Sequence, residues 1–291
     1  MIKTLLSLIV ALSLTVTANA QAKSNTDANA PLHALKVDYP TPYEPMPKEA
    51  IKKLLDRIFN YLDAVTPAQM INQQTGVAVN DLSKIDTNTI VQQGDFRLTS
   101  YEWGVTYTGM LEVAAATGDQ KYQDYTINRI NFLSDVVAVY QKYLKKNGHA
   151  FTPVRSILDP HALDDAGSIA ASMIKAQRTG ATRPNVRVVI DHYLDYIMNK
   201  EYRLKDGTLA RNRPLANTLW LDDLYMSLPA MAQMGVLTGE RKYFDEAVKQ
   251  YQLFANRMFN VDKGLYMHGW VQYMEPHPQF HWARANGWGL M

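Results

Sequence analysis

The 291-residue sequence predicts an all-α fold, a toroid of helix pairs, on three observations. First, an acidic residue stands 14 or 15 positions before a Thr-Gly turn three times over: Glu102 before Thr117-Gly118, Asp164-Asp165 before Thr179-Gly180, and Asp222-Asp223 before Thr238-Gly239. The interval between copies is roughly 60 residues, longer than the usual periods of open helical solenoids. Second, each stretch from acid to turn is apolar and rich in helix formers, and glycine just past its end closes a helix at little steric cost. Third, each turn is followed by a more polar, amphipathic segment. TGDQKYQD at 117–124 and TGERKYFD at 238–245 match at five of eight positions.

Along the chain, Lys3, the apolar run LLSLIVALSLTV and small residues at Ala18, Ala20 and Ala22 read as a secretory signal over 1–22. Residues 23–47 carry Pro31, Pro40, Pro42, Pro45 and Pro47 and read as a terminal arm. A first helix follows from Pro47 through KEAIKKLLDRIFNYLDAV, and the polar stretch 67–98 reads as a long loop. The apolar segments GVTYTGMLEVAAA, AGSIAASMIKAQR and LYMSLPAMAQMGVL are expected as inner helices. Their outer partners are the segments beginning QKYQDYTINRI, PNVRVVIDHYL and RKYFDEAVKQY. A closed toroid has six of each. The next inner helix is due near Arg284 and the sequence ends at Met291, so 48–291 is expected to hold roughly four of six hairpins, an arrangement incomplete at the C-terminus.

Composition narrows the function. With 47% hydrophobic residues the chain can bury a large core. A formal charge of +2, with basic residues scattered (Lys145-Lys146, Arg211, Arg213), gives no electrostatic footprint for nucleic acid. The absence of cysteine excludes disulfides and a lipid-anchored cysteine; a periplasmic or secreted protein is expected, with no membrane partner after the leader. No phosphate-cradling glycine loop, nucleophile elbow or dinucleotide fingerprint is present, and no cofactor is implied.

Asp164-Asp165 and Asp222-Asp223 open apolar helices. Asp is favoured there because it accepts backbone N–H bonds and suits the helix dipole, which accounts for one Asp of each pair. It leaves the second, and its repetition, to chemistry: of two carboxylates in a concave site, one can stay ionised while the other donates a proton. Further on, LYMHGW and HWARANGW gather histidine, tryptophan and arginine near the next inner-helix start. Arg284, between Trp282 and Trp288, carries the planar fork that grips a carboxylate. His277 and His281 stand four apart with Pro278 between them and no acid or cysteine at ligand spacing, so no metal site is expected.

WLDDLYMSLPAMAQMG, His268 in YMHGW and then WARANGW, in that order, resemble glycoside hydrolase family 105, from about residue 48 to the end. That family is related to the unsaturated glucuronyl hydrolases of family 88. The resemblance implies an (α/α)6 barrel that removes a terminal 4,5-unsaturated uronic acid from lyase-generated oligosaccharides of the rhamnogalacturonan type. Unsaturated products of ulvan or glycosaminoglycans are the alternative, as is an inactive sugar-binding remnant. By the resemblance Asp222 is the general acid/base and Asp165 the other active-site carboxylate. His268, Trp282, Arg284 and Trp288 surround the uronate. Trp103 and Asp223 are placed with them as substrate contacts, and Glu102 as a capping or wall residue. Ala285 stands where the family commonly has glycine, a small change expected to be tolerated.

Overall fold

The computed structural model describes residues 46–147, 152–274, 277 and 279–291. The expected leader at 1–22, and the arm at 23–47 apart from its last two residues, lie outside the described residues. Two compact units are distinguished, Met1–Lys52 and Lys53–Met291. Of the first, residues 46–52 are described and include the opening of α1 (Lys48–Val65). The second unit carries the rest of α1 and every element that follows.

In chain order these are β1 (Met70–Asn72), β2 (Thr89–Val91), α2 (Tyr101–Thr117), α3 (Gln120–Asn147), α4 (Arg155–Leu158), α5 (Leu163–Gln177) and α6 (Asn185–Asp195). Then come β3 (Thr218–Trp220), α7 (Asp222–Tyr225), α8 (Leu228–Thr238), α9 (Arg241–Met258), β4 (Phe259–Asn260), β5 (Leu265–Tyr266), β6 (Gly269–Val271) and α10 (Ala283–Leu290). The inner row is α2 against α5 against α8; α3, α6 and α9 each back the inner helix that precedes them. Burial follows the sequence pattern. In α5 Ala166 to Ile174 are buried without interruption, because neighbours cover it on every side. In α9 only Tyr243, Gln250, Phe254 and Met258 are buried, a single stripe near the helical period. Gly118 and Gly239 close α2 and α8 with left-handed φ of 71° and 74°, their N–H groups bonding Ala114 O and Gly235 O. A Cβ at either would be strained.

Three expectations are corrected. The stretch 67–98 is not a plain loop: β1 and β2 pair antiparallel, Met70 opposite Val91, with a short 3₁₀ turn at Leu82–Lys84 capped by Asp81. The second outer helix leaves α-geometry early and ends in a π-helical turn, Tyr196–Lys200. The third inner helix is broken into α7 and α8 at Met226-Ser227. Ser227 leaves helical geometry (φ −141°, ψ −53°), its Oγ donates to Asp223 O at 2.6 Å, and Pro229 starts the next helix, where a missing N–H costs nothing. Gly167 of α5 accommodates this break: a Cβ there would lie 1.6 Å from Met226 O. Close approach of the two acid-bearing helix starts therefore depends on a residue without a side chain.

Candidate active site

Successive residues on a helix point about 100° apart, so the two acids of α7 face different surroundings. Asp223 is 1% exposed and forks with Arg211: Nε donates to Oδ2 at 3.0 Å and Nη2 to Oδ1 at 2.6 Å. The third nitrogen of Arg211, Nη1, lies 3.0 Å from Asp164 Oδ2. One guanidinium thus joins the second acid of α7 to the first acid of α5. Its plane also lies over Trp220, 4.0 Å from the ring centre. Burial pushes the Asp223 carboxyl up to about 6 while Arg211 pulls it down; at neutral pH the pair is ionic. Burial opposes the charge on Arg211, yet Asp223 and Asp164 outweigh it and raise its pKa.

Asp222 faces the other way. Its Oδ2 is buried without a hydrogen-bond partner, and His268 Nε2 stands 3.3 Å from it, inside ion-pair range but not aligned for a hydrogen bond. A short ribbon brings them together. β3 and β6 pair antiparallel with Trp220 opposite Gly269, and Leu221 N donates to His268 O at 2.8 Å. The imidazole then meets Trp282 edge-on at 4.9 Å and Trp220 at 6.1 Å. Arg284 lies over Trp282 at 4.0 Å and donates through Nη1 to the Tyr101 hydroxyl at 3.2 Å. From Arg211 through Trp220, His268 and Trp282 to Arg284, two guanidinium groups flank a run of three rings. The start of α10 is anchored by Asn286, which accepts from Tyr266 N at 2.8 Å and donates to Tyr266 O at 3.0 Å. Ala285 is fully buried there.

The structure therefore brings together Asp222, Asp223, His268, Trp282 and Arg284. Trp288 packs at 4.8 Å on Tyr225 of α7, with Nε1 buried and unpartnered. It is Asp164, not Asp165, that reaches the α7 acids; Asp165 instead accepts the backbone N–H of His161 at 2.9 Å, holding the loop that leads into α5. Trp103 is corrected from a substrate contact to a packing residue. It is 4% exposed, stacked on Phe96 at 4.6 Å, and its Nε1 donates to the Tyr125 hydroxyl at 3.1 Å. Glu102 sits in the first turn of α2, where Ser100 is the N-cap and no side chain caps the helix start. His277 lies against Trp270, and His281 Nδ1 is 3.0 Å from Tyr266 O. Among the described residues no three metal-ligating side chains are gathered. Beside the acids opens a cleft of about 860 Å³, whose walls include Asp164, Arg211, Trp220, Asp223, Tyr196 and Tyr202.

Sequence reasoning missed Arg211, Trp220 and Tyr101. Trp220 lies in the same WLDD motif as Asp222 and could have been found there. Tyr101 precedes the first acid, Glu102, by one residue and belongs to no motif of its own. Arg211 has no such neighbour; only the need of a buried acid for a cation pointed to it.

The Glycosyl Hydrolase Family 88 profile matches residues 61–291. Over 103 residues the chain is 25% identical to the unsaturated rhamnogalacturonyl hydrolase YesR of Bacillus subtilis (strain 168), covering 33% of this chain and 30% of that protein. A possible GH105 family member from Klebsiella pneumoniae subsp. pneumoniae MGH 78578 superposes with a TM-score of 0.55 at 18% identity, covering 88% of this chain and 62% of that one. The unsaturated glucuronyl hydrolase of Streptococcus agalactiae gives 0.53 at 17%, covering 84% and 56%. At these identities the superpositions show the fold, that of the (α/α)6 barrels. The chain spans less than two thirds of the length of each of these relatives. With its acid pair, histidine and WARANGW segment all inside the matched region, the chain belongs to Glycosyl Hydrolase Family 88.

Proposed function

We propose that the protein removes a terminal 4,5-unsaturated uronic acid from oligosaccharides of the rhamnogalacturonan type produced by a lyase. Asp222 carries this reading. It is a carboxylate only 13% exposed, with one oxygen free of hydrogen bonds, beside a histidine whose ring in turn meets an arginine-tryptophan stack. Such an oxygen is available to hold and deliver a proton. The Arg284 guanidinium, kept in place by Trp282 and Tyr101, suits the carboxylate of a uronic acid. Asp222 protonates carbon 4 and the hydroxyl of a water adds at carbon 5, its proton returning to the carboxylate. The hemiketal so formed opens, and carbon 1, now a hemiacetal, expels the neighbouring sugar. Asp223, tied to Arg211, takes no part in the transfer and sets the charge beside it. The likeness to YesR favours rhamnose as the next sugar.

The double bond absorbs in the ultraviolet and its hydration removes that band. Incubation with unsaturated rhamnogalacturonan disaccharide is expected to bleach it. Unchanged absorbance with this and with ulvan and glycosaminoglycan lyase products rejects the reaction; bleaching of the latter products alone moves the substrate.

A further inference from the structure

We propose that Arg211 is a positioning residue for this reaction: by forking to Asp223, reaching Asp164 and lying against Trp220, it locks the start of α7 so that Asp222 meets substrate beside His268. The proposal rests on Asp222 as proton donor. The geometry brackets that residue. Trp220 stands two positions before Asp222 and Asp223 one after, and Arg211 touches both. α7 is only four residues long and no side chain caps its start, so little within the helix itself fixes it. Arg211 can act as a fixed point because its own backbone is paired both ways with Thr218, N to O at 2.7 Å and O to N at 3.2 Å. Its side chain is 13% exposed and Nε, Nη1 and Nη2 are all engaged. A lysine supplies the charge but not a fork that spans two carboxylates and lies flat on an indole.

Charge points the same way. The groups that face Asp223 are Arg211 beside β3, Asp164 on α5, Asp222 on α7 and Glu201 after the π-helical turn, with His268 on the far side of Asp222. Arg211 is the cation in direct contact with Asp164 and Asp223. Without it these acids face each other unneutralised, and the folded protein holds a proton among them to higher pH than the unfolded chain does. Stability is then present at low pH and lost as pH rises.

The test compares wild type, Arg211→Lys, Arg211→Met and Arg211→Met/Asp223→Asn in turnover of the unsaturated disaccharide and in melting temperature from pH 6 to 8. Arg211→Lys is expected to fold and to keep KM within about threefold while kcat falls about tenfold. In Arg211→Met kcat falls about 100-fold, the scale of a misplaced catalytic group. Melting of Arg211→Met declines with rising pH more steeply than wild type, and the double variant loses that excess. Unchanged kcat in both single variants overturns the proposal, and so does a raised KM at constant kcat, which marks a substrate contact. Equal pH slopes in all four proteins overturn it as well. If wild type is inert on every unsaturated substrate the proposed function fails, whereas the melting curves still decide whether Arg211 holds the acids; if Arg211→Met does not fold, the kcat and KM of Arg211→Lys decide.

Discussion

Two helix starts carry the same letters, Asp-Asp before an apolar run, and the fold uses them differently. In α5 the helix runs on unbroken for 15 residues; Asp164 gives its charge to Arg211 and Asp165 closes the entry loop on His161. In α7 the helix stops after four residues. Asp223 is sealed under Arg211, while Asp222 keeps an oxygen free beside an imidazole. An acid pair is thus not a functional unit. What separates the two is the chain that returns to them: the strand β6 brings His268 to Asp222, whereas Asp165 meets only its own entry loop at His161.

The contrast is most exposed to substitution at Asp222. For the proposed reaction, Asp222→Asn is expected to lower kcat by about 10²- to 10⁴-fold with binding retained, the span typical of a lost general acid. Asp165→Asn should cost less than about tenfold, and steady-state kinetics showing equal losses would erase the distinction between the helices. Gly167→Ala attacks their junction, driving a Cβ into Met226 O; urea denaturation should show a loss of about 3 kcal/mol, at the upper end for overpacking. For Asp223 the folded-state value, raised to about 6 by burial against the unfolded 3.8, means that its contribution is fullest below pH ~4 and is lost as pH rises through ~6. Asp223→Asn should flatten that part of the melting-temperature profile. The smallest effect belongs to the first repeat. Trp103→Phe deletes the bond to Tyr125 and should cost about 1 kcal/mol with KM unmoved; a raised KM would return Trp103 to the substrate.

Much of the helical order was legible because period and burial agree. A helix covered on all sides is built of small and apolar residues along its buried span, as α5 is from Ala166 to Ile174, and helices covered on one side are striped, as α9 is. The break between α7 and α8 was hidden because LYMSLPAMAQMGVL has good helix formers on both sides, and Pro229 reads equally well as a kink or a first turn. Asp222, His268, Trp282 and Arg284 could be grouped from motif order. The roles of Asp223 and Asp164 could not, since they depend on a salt link from Arg211, a residue with no local pattern. Trp103 misled for a related reason: an indole beside an acid looks the same in sequence whether its N–H meets a ligand or Tyr125.

The ribbon of β3 and β6 has a kinetic meaning. Contacts within each helix pair join near neighbours in sequence, while the ribbon closes residues 218–220 onto 269–271 through three-residue strands. Segments held by so few bonds open at a lower free energy than a packed core. Opening it would carry His268 away from Asp222 and Trp220 while α2, α5 and α8 stay together. Two levels of cooperativity follow, a durable helical body and a more easily released corner at the candidate site, so that mild denaturant should abolish the proposed turnover before the helical circular dichroism changes.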